Sequence, residues 1–122
     1  MRRLVLWGPV ALWAGLLFFL SSRSDLGRAG QIPDWITHGT AYLALALLVA
    51  RALAGGFPRL LTARAAMVVV LAVTLYGVSD EFHQSFVPGR DSSAGDVAKD
   101  LGGALLGVLI FRRCAAWWGS PP

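Results

Sequence analysis

Residues 80–107 read DEFHQSFVPGRDSSAGDVAKDLGGALLG, and the fold is decided there. Asp80, Glu81, His83 and Gln84 close an apolar run that starts at Ala65. Val87-Pro88-Gly89-Arg90-Asp91-Ser92-Ser93 has the residues of a turn. Asp96, Lys99 and Asp100 then open a second apolar run that ends at Phe111. Two long apolar runs joined through a short charged turn describe a helical hairpin in a membrane. Charged groups beside such runs are costly in hydrocarbon and mark function.

Working outward, the whole chain has the same character. Its 122 residues are 56% hydrophobic and 15% charged, with mean hydropathy +0.60, too apolar for an ordinary soluble domain of this length. Leu4–Leu20 is uncharged and follows Arg2-Arg3. A basic start before an apolar run also fits a signal peptide, but this run is long for a signal core and Leu20-Ser21-Ser22 is a poor cleavage site. A retained helix is therefore expected. A polar loop with Gly27, Gly30 and Pro33 follows, and Pro33 suits the start of a helix at Asp34. Arg51 to Arg64, with Gly55-Gly56 and Pro58, reads as a connector. The expected architecture is all-α: one polytopic membrane domain over 1–122, a bundle of four transmembrane helices at about 4–20, 34–50, 65–84 and 94–111. Trp117 and Trp118 are read as an interfacial tail.

Charge sets the expected orientation. Arg2, Arg3, Arg51, Arg59, Arg64, Arg112 and Arg113 fall on one side with no acid among them. All seven acids fall in or beside the other two loops, with Arg23, Arg28, Arg90 and Lys99. Lys and Arg favour the cytoplasm, so both termini are expected inside a bacterial cytoplasmic membrane. The basic residues flank apolar runs and do not form a patch, which argues against nucleic acid despite the net charge of +4. The single Cys114 excludes an internal disulfide and a thiolate metal cluster.

Helical spacing brings the polar residues onto shared faces. Asp34, His38 and Tyr42 follow one another at steps of four, as do Tyr76, Asp80 and Gln84. Asp96, Lys99, Asp100, Gly103 and Gly107 follow steps of three and four, and Gly103-x-x-x-Gly107 permits close approach of a neighbouring helix. At about 1.5 Å per residue the intervals 34–38, 80–84 and 96–100 each cover about 6 Å and occupy one slab of the membrane. Turning carboxylates away from lipid gathers Asp34, His38, Asp80, Glu81, Gln84, Arg90, Asp96 and Asp100 in one outward-opening pocket. In an enzyme, Asp34 and His38 would supply a general base, and Asp80 and Glu81 an acid or electrostatic pair. Gln84, Arg90, Asp96 and Asp100 would bind ligand, with Arg90 as an anion clamp. Lys99 is expected to neutralise Asp96 or Asp100. His38 with carboxylates has ligand types that suit a divalent ion, but no His-x-x-x-His or Glu-x-x-His pair supports a centre, so no metal is assigned. No nucleophile motif is present, and no cofactor follows from the sequence.

These residues resemble the VanZ-like family of small bacterial membrane proteins. The Asp-x-x-x-His element is matched by Asp34 and His38, the Asp-Glu-x-x-Gln element by Asp80, Glu81 and Gln84. Phe86, Pro88 and Arg90 follow, then Asp96 and Gly103 of an Asp-x-x-x-Asn-x-x-Gly element. Trp35 stands where the family often has Lys, and Asp100 stands where it has Asn. The resemblance implies a cell-envelope role, since the named member is associated with low-level resistance to the glycopeptide antibiotic teicoplanin. It carries no reaction over to this chain. Three readings stay open: an enzyme acting on an anionic or lipid-linked envelope substrate, a non-catalytic envelope binding or modulating protein, and a small transporter. The transporter ranks last, because four short helices leave little room for a pathway without oligomerisation, and the sequence does not give the oligomeric state.

Overall fold

The computed structural model describes residues 1–24 and 32–119, with the Asp34 side chain also outside the described set. The loop glycines Gly27 and Gly30, Arg28 and the terminal Pro121-Pro122 lie outside it as well. Four helices and no strand make up the described residues: α1 Arg2–Ser21, α2 Asp34–Ala54, α3 Ala63–Gln84 and α4 Ala94–Gly119. Three segments are long and apolar enough to cross a membrane: Arg2–Ser21, Trp35–Ala54 and Ala63–Gln84. Helix α4 runs on past Phe111, where the sequence reading stopped it, and takes Trp117 and Trp118 into its last turns. Arg112 and Arg113 end an apolar run but are good helix formers, so they do not end the helix.

The helix ends follow from local sequence. Thr62 caps α3, its hydroxyl accepting from the Ala65 amide at 3.2 Å. Gly55 closes α2 in the left-handed region at φ 78°. Its amide donates to Ala52 O and the Gly56 amide to Arg51 O, the pairing that satisfies the last carbonyls of a helix. Pro9 sits inside α1 and has no amide for the Val5 carbonyl. Arg51 Nη1 donates to that carbonyl at 3.2 Å, and Arg2 Nη2 donates to Gly55 O at 3.2 Å. The start of α1 is thereby tied to the end of α2.

Packing centres on α2 and α4. A Cβ at Gly103 would collide with the Gly39 carbonyl oxygen and stand 3.0 Å from Leu43 N. One at Gly107 would stand 2.7 Å from Leu43 O and 2.9 Å from Ala46 Cβ. The two helices therefore meet backbone to backbone, an approach only glycine permits. Tyr42, Ala46, Ala50, Val69, Val73, Ala104 and Ala115 form the buried centre. Helix α1 joins through two polar ties: Trp13 Nε1 donates to Ala41 O at 3.0 Å, and Tyr76 Oη to Ala14 O at 2.6 Å. Outward faces carry large apolar side chains, among them Leu12, Phe18, Leu71, Leu75 and Leu109, as a lipid-facing surface would.

Candidate functional site

The turn after α3 builds the site's rim. In Val87-Pro88-Gly89-Arg90 the Arg90 amide donates to Val87 O at 3.2 Å and Gly89 has φ 79°. Proline second and a positive-φ glycine third give a type II turn. It sends Arg90 back over the end of α3, where Nε and Nη2 donate to Gln84 Oε1 at 3.2 and 2.7 Å. Gln84 Nε2 in turn donates to Asp80 Oδ2 at 3.0 Å and Glu81 Oε1 at 3.3 Å. A buried amide thus spends both ends, linking one guanidinium to two carboxylates. Ser93 has two tasks. Its hydroxyl accepts from the Asp96 amide at 3.1 Å, capping α4, and its own amide donates to Glu81 Oε2 at 3.0 Å.

The deeper part comes from α2 and α4. His38 Nδ1 lies 2.9 Å from Asp100 Oδ1, and Asp100 is fully buried. Tyr42 Oη donates to Asp80 Oδ2 at 3.3 Å. Lys99 Nζ pairs with Asp96 Oδ1 at 2.5 Å, the first of the two partners its spacing allowed. Asp80, Glu81, Gln84 and Asp100 are the buried polar groups of the site, at 7%, 6%, 3% and 0% exposure. Two oxygens of this set, Asp80 Oδ1 and Asp100 Oδ2, are buried with no hydrogen-bond partner among the described residues. Such an atom costs about 1–3 kcal/mol.

Above these groups lies an open cavity of about 390 Å³. Its lining mixes His38, Tyr42, Asp80, Gln84, Arg90 and Asp96 with Leu17, Leu20, Ile32 and Ala41. Of the residues singled out in the sequence, His38, Asp80, Gln84, Arg90 and Asp96 face this cavity. Asp100 is buried against His38, and Glu81 lies between Gln84 and Ser93. The Asp34 side chain lies outside the described residues.

Three residues take roles at the site that spacing does not give them. Tyr42, which spacing puts on the His38 face, holds Asp80. Ser93 orients Glu81 through its backbone. Gly77 leaves room for Asp100: a Cβ there would stand 2.6 Å from Asp100 Oδ2 and 3.2 Å from Tyr42 Cε1. A lone glycine one helical turn before Asp80 was the available signal for Gly77; the Ser93 contact had none. His83 belongs elsewhere, its ring tilted against Phe18 at 4.4 Å and 2.9 Å from Ser22 Oγ. Tyr76, expected on the same stripe as Asp80, reaches across to α1.

His38, Glu81 and Asp100 each offer a donor atom, and these atoms all lie within 4.8 Å of one another. They come from three different helices, which is why no paired-ligand motif marks them in the sequence.

A four-helix bundle with membrane-length apolar helices and buried carboxylates beneath a half-apolar cavity defines a class: small integral membrane proteins with a polar site at one end. The chain belongs to the VanZ/LLP1 family, whose model matches residues 6–116. No curated protein and no solved structure matches the chain.

Proposed function

We propose that this is a cell-envelope protein of the bacterial cytoplasmic membrane whose cavity takes the head group of an anionic or lipid-linked envelope molecule. The observation that carries the reading is the mixed lining of the cavity. Carboxylates, an imidazole, a phenol and a guanidinium share about 390 Å³ with Leu17, Leu20 and Ile32. A lining of that kind suits a molecule with a polar head and an apolar tail, since each part meets its own chemistry. Arg90, positioned by Gln84, is the group that would meet an anion. Asp80, which lines the cavity and keeps one buried oxygen unpartnered, is the group that would exchange a proton or accept a hydrogen bond. All four helices span the membrane in this reading, with both termini cytoplasmic and the cavity facing outward. Teicoplanin resistance, known for the family's named member, is the phenotype this would produce.

The test compares cells expressing the wild type, Asp80→Asn and Arg90→Ala at matched membrane abundance. Teicoplanin susceptibility and turnover of lipid-linked envelope precursors are measured. Loss of the phenotype in both variants is expected, and unchanged function in both would refute the cavity reading. Altered turnover separates an enzyme from a binding protein, which would change susceptibility alone. A periplasm-dependent reporter fused after Arg113 should be inactive; activity there would reverse the orientation.

A further inference from the structure

We propose that His38, Glu81 and Asp100 form a binding site for one divalent transition-metal cation, with Zn²⁺ the best match. The donor set is one imidazole nitrogen and two carboxylates, a mixture that suits Zn²⁺ better than the hard ions Mg²⁺ or Ca²⁺, which take oxygen ligands. Three protein ligands leave a coordination position open, and one of them, His38, lines the cavity.

Distance supports the assignment. Two ligands about 2.1 Å from one ion stand about 3.0–3.4 Å apart at octahedral or tetrahedral angles. His38 Nδ1 and Asp100 Oδ1 are already at 2.9 Å, and all three donors fall within 4.8 Å. Closing the widest gap takes about 1.4 Å of movement, within reach of a side-chain rotation and without moving a helix.

Two further observations point to a cation. Of the three side-chain atoms buried without a partner among the described residues, one, Asp100 Oδ2, belongs to a ligand of this cluster, and a second, Asp80 Oδ1, is on the acid preceding Glu81. Asp100 is completely buried, so water does not reach the orphaned oxygen. Charge is also unbalanced. Asp80, Glu81, Asp96 and Asp100 are buried or half-buried acids; Lys99 pairs with Asp96 and His38 with Asp100, while Asp80 and Glu81 accept from Tyr42, Gln84 and the Ser93 amide. With His38 neutral, as a metal ligand must be, the four ionised acids outnumber Arg90 and Lys99 by two charges, which one divalent ion offsets. Glu81 is already held as a ligand would be: Gln84 donates to one oxygen and the Ser93 amide to the other. The site holds its cation whatever molecule fills the cavity above it.

The experiment titrates Zn²⁺ by calorimetry into the full chain in lipid nanodiscs, stripped with chelator and free of any histidine tag. One equivalent should bind. His38→Ala and Glu81→Gln should each weaken binding at least tenfold, while His83→Ala and Cys114→Ser, at the other histidine and the one thiol, should bind as the wild type does. Absence of saturable one-to-one binding by the wild type overturns the site. So does wild-type affinity in both ligand variants, or loss of binding in either control. Should a ligand variant fail to fold, the wild type loaded with Co²⁺ decides: a visible spectrum of nitrogen and oxygen coordination supports the site, and a thiolate charge-transfer band overturns it. Mg²⁺ in excess should not compete.

Discussion

The two ends of the bundle use charge in opposite ways. At the arginine end, Arg2 and Arg51 are exposed or half-buried and donate to backbone carbonyls, one at the cap of α2 and one vacated by Pro9. These cations complete helices. At the other end Asp80, Glu81 and Asp100 lie within helix bodies, where every backbone group already has its partner, and they are buried. Their partners are Tyr42 and His38 on α2, Gln84 on α3 and, for Glu81, the Ser93 amide. A charge that finishes a helix serves the fold. A buried acid left with an unpartnered oxygen, as Asp80 and Asp100 are, costs stability, and these are the groups on which the proposed function rests.

The sharpest way to break this contrast is to pull apart α2 and α4, which carry His38 and Asp100. Gly103→Leu must push its side chain into the Gly39 and Leu43 backbone. Folded protein in the membrane should fall to a small fraction of wild type, scored by detergent-extracted monodisperse protein. Wild-type yield would mean the helices are free to separate and the site is not fixed by them.

A milder change at the acid end is Gly77→Ala, whose methyl would crowd Asp100 Oδ2. Overpacking of this kind costs about 1–3 kcal/mol. Denaturant unfolding in micelles should show that loss, and function should drop with it as Asp100 moves off His38. Full stability and function together would place Asp100 elsewhere.

Tyr42→Phe removes one of the two hydrogen bonds to Asp80 Oδ2 and should cost about 1–3 kcal/mol. The smallest effect belongs to the arginine end. Arg51→Ala frees an exposed carbonyl that water can satisfy, so about 0.5–1.5 kcal/mol is expected, with function unchanged. If Arg51→Ala abolished function while Tyr42→Phe left it intact, the assignment of the two ends would be inverted.

Much of this was legible in the residues. The apolar runs located all four helices, because hydrocarbon length and helical rise leave little choice. Val87-Pro88-Gly89-Arg90 announced a turn that returns the arginine, and Gly103 with Gly107 announced a close helix contact. The end of α4 was misjudged, since arginines stop a hydrophobic run without stopping a helix. His38, Asp80 and Gln84 were placed on the right faces, since spacing fixes the face a residue occupies.

The sequence by itself determined where helices run, which faces are polar and which end of the bundle carries the acids, because these depend on periodicity and length along one chain. Only the tertiary structure decided the partners. It set His38 against Asp100, a residue 62 positions away, stopped Arg90 on Gln84, gave Glu81 the Ser93 amide and brought three donors within 4.8 Å. Those pairings depend on how each helix is rotated and slid against the next. The rotation and the slide are fixed by backbone contact at Gly103 and Gly107, and no spacing within a single helix records them.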